Sequence, residues 1–468
     1  PLLIYQYSTP MTQLHELIET DPIISNPTSQ KLSQSMNKDN IILSSRMSYW
    51  INILRIWMTF QVIVSHLSPR LDGLYQNNWF EVLMPHPFVN HGSACVTVFF
   101  ALAGFFSCQT FEKIYEETKE SSLQFVKKFL FQWVKRYFAM RAFLLTYSLG
   151  YACFLYWVFG EKGRDVYTSK PRTLKYWMDA YFPFYWPDRI NYENGISGSA
   201  WFQLSLSNVE FIFYLIFFMN YFIRRKLHSM KKVIMMNSLQ IVVLSAIFGL
   251  SIFFANERGD NCYYLGGICL FWGRYIIVNT SKGQHLIKFA YSNQKTHLYI
   301  KYALLIALIY LWLVVSRICP PACLVFMLLP ILFDFLPPNL PKSCDFFIKE
   351  FNRLQMPIYI LHHTFMNEPI PRGFPMIRPA DLTFINPCYT SWFIAWHLPF
   401  LYIMLSYPAW FINRPLELLP VLIKDRKKHT INDWVWLGVG GCLNIILIIL
   451  TQSYTFGAAQ LPQPDIWK

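Results

Sequence analysis

The chain has 468 residues, of which 54% are hydrophobic, 18% aromatic and only 15% charged, and its mean hydropathy is +0.27. A soluble protein carries about 25% charged residues, so this composition argues against the two or three soluble domains that length alone would suggest. The net charge of +14 does not mark a nucleic-acid partner, because the basic residues fall between apolar segments rather than in a single patch.

In chain order, residues 1–46 form a polar extension, and its opening "PLLIYQYSTPMTQLHELIE" shows neither a signal-peptide nor a transit-peptide pattern. Eleven apolar spans are then expected near 50–66, 94–110, 138–159, 201–222, 233–255, 262–279, 298–315, 322–336, 354–366, 389–412 and 434–452. The expected fold is therefore all-α, a polytopic membrane helical bundle.

The loops after even-numbered spans are basic: Lys127, Lys128, Lys135 and Arg136; then Arg224, Arg225 and Lys226; later Lys342, Lys349 and Arg353; and finally Lys424, Arg426 and Lys427. The positive-inside rule then puts the N-terminus on the cytoplasmic or matrix side and the C-terminus opposite. The loop at 160–200, with "YWMDAYFPFYW", reads as an interfacial aromatic belt or, alternatively, as a stacking surface for sugars. The ten cysteines are scattered, and "CPPAC" at Cys319 and Cys323 lacks the spacing and companions of a zinc or redox site, so no metal is expected.

The first span, "NILRIWMTFQVIVSH", places Arg55 and His66 eleven residues apart. On a helix that separation closes to about 20° and spans about 16 Å, so both side chains leave one face. The plain interpretation is a snorkelling arginine and a capping histidine; the functional one is a charged, water-lined tunnel. A guanidinium facing lipid at mid-membrane costs at least about 2.5 kcal/mol, so a deep Arg55 calls for a cavity or a partner.

Six segments in order carry a resemblance. "LRIWMTFQVIVSH" resembles the Arg-x10-His stretch of the acyltransferase-3 family of integral membrane acyltransferases. "VTVFFALAGFF", "WVKRYFAMRAF", "SLSNVEFIFYLIFF", "LQMPIYILHH" and "FINRPLELL" are similar to its later motifs. Asn90 ahead of the second helix leans towards the nose-resistant-to-fluoxetine-like branch. The resemblance implies an acyltransferase-like membrane domain over 47–425, with ten family helices. An extra transmembrane helix and tail follow over 426–468.

The resemblance also implies transfer of an acyl group from acyl-CoA to a hydroxyl of a lipid or carbohydrate. His66 would be the general base, and Arg55, Arg136 and Arg141 would grip the donor phosphates. Glu210 and His362 match family positions on other helices and would orient His66 or meet the acceptor. Their plain alternatives are an ion pair with Arg274 for Glu210 and a helix-end hydrogen bond for His362.

Several motif positions depart from the family. Thr97 stands for its Asp, Ala103 for its Ser, Ala139 for its second Arg (with Arg141 displaced by two) and Asn413 for its closing Glu. Such thinning of polar groups motivates a second expectation, a catalytically silent homologue serving as a structural subunit of a large membrane assembly. That assembly would sit among membrane lipids, with the mitochondrial inner membrane as one location. A transporter is the third expectation, and no internal repeat speaks for it.

Overall fold

The computed structural model describes residues 45–74, 92–118, 120–135, 200–227, 229–254, 262–283 and 342–367, with scattered positions within 285–307 and 434–442. Among these the regular structure is entirely helical. The helices are α1 (Ser45–Leu74), α2 (Gly92–Thr118), α3 (122–135), α4 (Ala200–Arg225), α5 (Met230–Phe254), α6 (Tyr263–Asn279) and α7 (Lys342–Asn367). Six expected spans fall on α1, α2, α4, α5, α6 and α7. The expected spans near 138–159, 322–336 and 389–412, and the 160–200 loop, lie outside the described residues. So do nearly all of the N-terminal extension and most of the spans near 298–315 and 434–452.

Two stretches, Cys95–Thr118 and Met230–Leu250, are long and apolar enough to cross a membrane. They differ in setting, since 89% of the first window is buried and 11% of the second. A helix apolar all round belongs in a core, and one exposed on an apolar face needs a covering of lipid or protein.

The chain divides into two compact units. One comprises Pro1–Val64, His86–Phe129 and Phe213–Gln355; the other comprises Ser65–Pro85, Leu130–Ile212 and Met356–Lys468. The first unit is organised around α2. Gly104 and Gly267 let α2 and α6 cross with their backbones touching: a Cβ at Gly104 would overlap the Tyr264 carbonyl, and one at Gly267 the Ala101 carbonyl. From that crossing the two helices run the same way, with Phe105 against Phe271 at 5.3 Å and Phe111 against Trp272 at 6.4 Å. α4 runs parallel to them, with Phe111 stacked on Phe217 at 5.4 Å and Phe213 on Tyr264 at 5.0 Å. α5 turns back after the short 226–229 connection and runs antiparallel, so that Phe248 meets Tyr263 at its far end and Met230 meets Tyr275 at its start. Gln240 of α5 donates to the Asn220 side chain of α4, a polar clamp between two otherwise apolar helices.

The structure corrects one sequence reading. Lys127, Lys128 and Lys135 were expected in a connecting loop, but they lie on α3. That helix doubles back immediately after α2 and packs antiparallel to α4, with Phe125 stacked on Tyr221 at 3.7 Å and Phe129 against Tyr214 at 4.8 Å. The aromatic spacing of Phe125 and Phe129 drives this, because it puts both rings on one helical face. In the second unit, Phe202 near the start of α4 packs edge-on against Tyr359 of α7 at 5.6 Å.

The glycine crossing has a measurable consequence. Gly267→Ala is expected to force α2 and α6 apart and to cost about 1–3 kcal/mol. Gly249→Ala, where a Cβ meets nothing within 4 Å, is expected to be neutral or to stabilise the helix by up to about 1 kcal/mol. Thermal unfolding of the detergent-extracted chain distinguishes the two; equal midpoints would refute the close crossing.

Candidate functional site

α1 and α7 pair within the first unit through a polar seam. Tyr49 donates from its hydroxyl to Asp345 at 2.9 Å, and Gln355 donates from Nε2 to the Thr59 hydroxyl at 2.9 Å. Both contacts join residues 296 apart, so the helices run parallel in constant register. The same register sets Asn52 beside Ile348 and Ile56 beside Asn352, the alternating three- and four-residue spacing of a helix-pair seam. Gln355 Nε2 also donates to the Arg55 carbonyl at 3.1 Å, which accepts the Thr59 hydroxyl at 2.9 Å as well. The backbone at Arg55 is thereby tied to α7.

The Arg55 side chain sits on the flank of this seam, about 80° from its centre line by helical geometry. It is half-buried and makes no ion pair or hydrogen bond with any described residue. Both polar atoms of Asn352 and Oε1 of Gln355 are buried and have no hydrogen-bond partner among the described residues. Asn352 is 2% exposed and Gln355 5%.

The other expected site residues are placed as follows. His66 lies on α1, the same continuous helix as Arg55, and His362 lies on α7; their side chains are outside the described ones. Glu210 is buried on α4, in a stripe with Phe202, Leu206 and Val209. Arg136 and Arg141 lie outside the described residues. Thr97 and Ala103 are both buried in α2.

Sequence reasoning missed a second charged centre. Arg224, read there as a loop cation, is buried and forms an ion pair with Glu112 near the end of α2. Its guanidinium carbon stands 4.3 Å from the Tyr115 ring centroid, with Tyr275 and Trp272 at 5.7 and 5.8 Å. Nη2 donates to the Tyr275 hydroxyl at 3.4 Å. α2, α4 and α6 are thus joined at one end by a charge held among aromatic faces. One signal was available in the sequence: Glu112 and Arg224 each follow a long apolar run at nearly the same helical depth.

No family model, curated protein or solved structure matches the chain. The functional reading therefore rests on these residues and on the motifs quoted above.

Removing one partner of the buried pair strands the other. Arg224→Met is expected to destabilise the chain by about 3–5 kcal/mol, and Glu112→Leu combined with Arg224→Met by distinctly less. Unfolding midpoints of the single and double variants check this; additive losses would show that the two groups do not act as a pair.

Proposed function

We propose that this chain is a multi-pass membrane acyltransferase. It would move an acyl group from acyl-CoA to a hydroxyl of a lipid or carbohydrate acceptor. The observation that carries the reading is Arg55: a half-buried guanidinium that no described carboxylate neutralises, on the helix that also bears His66. A cation that pairs with no described residue, among apolar helices, suits an anionic ligand. A guanidinium fork matches phosphate oxygens in particular.

In this mechanism His66 takes the proton of the acceptor hydroxyl as the oxygen attacks the thioester carbonyl. The tetrahedral intermediate collapses, the carbon–sulfur bond breaks, and the imidazolium returns the proton to the departing thiolate. Arg136 and Arg141 would add donor contacts. Glu210 and His362 would orient His66 or the acceptor. The common direction of α2, α4 and α6, opposite to that of α5, supports a chain that threads a bilayer alternately; the basic loops after even-numbered spans would put its N-terminus on the cytoplasmic or matrix side.

A second reading, a catalytically silent subunit of a large, mitochondrial inner-membrane assembly, is favoured by one observation. α5 presents Met235, Leu239 and Val242 at 69, 64 and 65% exposure, a face that a neighbouring helix could cover as well as lipid.

For the acyltransferase, His66→Ala is expected to lower acyl transfer from acyl-CoA by at least about 100-fold. Arg55→Gln is expected to raise the donor KM with a smaller change in kcat. Transfer unchanged in His66→Ala would remove the mechanism. A high-mass band on a native gel after mild extraction, together with no turnover in the parent chain, would favour the subunit instead.

A further inference from the structure

The hairpin of α4 and α5 has a buried side and an exposed one. The hydrogen bond from Gln240 to Asn220 fixes how the two helices are turned towards each other. At 100° per residue from that bond, Tyr221 and Asn237 fall on one side of the hairpin, where both are buried. Met219 and Ile223 of α4, and Leu239 and Val243 of α5, fall on the opposite side, where they are 46–64% exposed. The same geometry brings the exposed Lys226 and Lys232 to that side, at the end where the chain turns from α4 into α5.

The charge at this end is uncompensated. Nearby cations have partners: Arg224 pairs with Glu112, Arg225 donates to the Ser122 hydroxyl, and Lys128 pairs with Glu117. Lys226, Lys231 and Lys232 pair with no described residue, and the chain has no Asp or Glu between Glu210 and Glu257. Lys231 and Lys232 also lie in the first turn of α5, which has no acidic residue, so they oppose the positive end of the helix dipole. The positive-inside rule calls for cations on this side of a membrane. It does not call for them in the first turn of a helix, where only an anion relieves them.

We propose that the exposed side of the α4–α5 hairpin binds an anionic phospholipid. Its phosphate sits between Lys226 and Lys232, and its acyl chains lie along Met219, Ile223, Leu239 and Val243. One ligand thereby answers both features of the face: it neutralises the lysines and covers the apolar surface below them. The inference rests on α5 crossing a membrane and is independent of acyl transfer.

The test uses the full chain in mild detergent, titrated with dioleoyl phosphatidylglycerol or dioleoyl phosphatidylcholine, with bound lipid counted by native mass spectrometry. Phosphatidylglycerol is expected to bind about tenfold or more tightly than phosphatidylcholine. Lys226→Gln combined with Lys232→Gln is expected to remove most of that preference, at roughly fivefold per lysine. Lys113→Gln combined with Lys127→Gln, which takes the same charge from α2 and α3, is expected to leave it. Should the first pair fail to fold, Lys231→Gln combined with Lys232→Gln is read in its place. That variant is expected to raise the unfolding midpoint in lipid-free detergent, because it relieves the helix dipole, and to shrink the further rise on adding phosphatidylglycerol. Glycerol 3-phosphate, which has the charge without the chains, is expected not to displace the lipid. Equal binding of the two lipids, an equal loss in the Lys113 and Lys127 pair, or displacement by glycerol 3-phosphate overturns the site. So does a second protein that co-purifies on this face and leaves the parent chain binding neither lipid.

Discussion

The crossing of α2 and α6 at Gly104 and Gly267 is the constraint from which the rest of the first unit follows. With no side chain at either position, each helix rests on carbonyl oxygens of the other. Contact of that kind fixes both the rotation and the depth of the pair, because larger residues at the crossing would hold the helices apart. Once depth is fixed, Phe105 must meet Phe271 and Phe111 must meet Trp272. α4 then slots in beside them. Its buried stripe, continued by Tyr214, Phe217 and Tyr221, delivers Arg224 to the level of Glu112 and Tyr275.

The two arginines show how one residue type serves opposite ends. Arg224 has a carboxylate, a phenol and three aromatic faces around it. Its charge is spent within the protein and binds three helices together. Arg55 has its backbone carbonyl tied to α7 by Gln355, and its guanidinium pairs with no described residue. A positively charged group without an internal counterion is costly to keep in an apolar bundle unless a ligand or water shares it.

Much of this was legible from local pattern. The helical character, the apolar spans and the long uninterrupted α2 follow from runs of hydrophobic residues about 20 long, which determine structure without reference to anything distant. The co-location of Arg55 and His66 on one helix follows from spacing alone. The reading went astray at α3. There the lysines suggested a loop, but the spacing of Phe125 and Phe129 offered an aromatic face that α4 could bury. Charge marked the residues as exposed; it did not say that the backbone beneath them was straight.

The site was legible in its residue types and not in its partnerships. Sequence singled out Arg55 and read Arg224 as one more loop cation. Only packing distinguished them, because the deciding carboxylate lies 112 residues from Arg224 along the chain. Likewise the polar register of the seam joins residues 296 apart, a separation over which no local periodicity carries information. The sequence by itself determined that the chain forms apolar helices and which faces of them are polar. The tertiary structure decided which of the described polar groups satisfy one another, since hydrogen bonds and ion pairs depend on distances that only the packed fold sets.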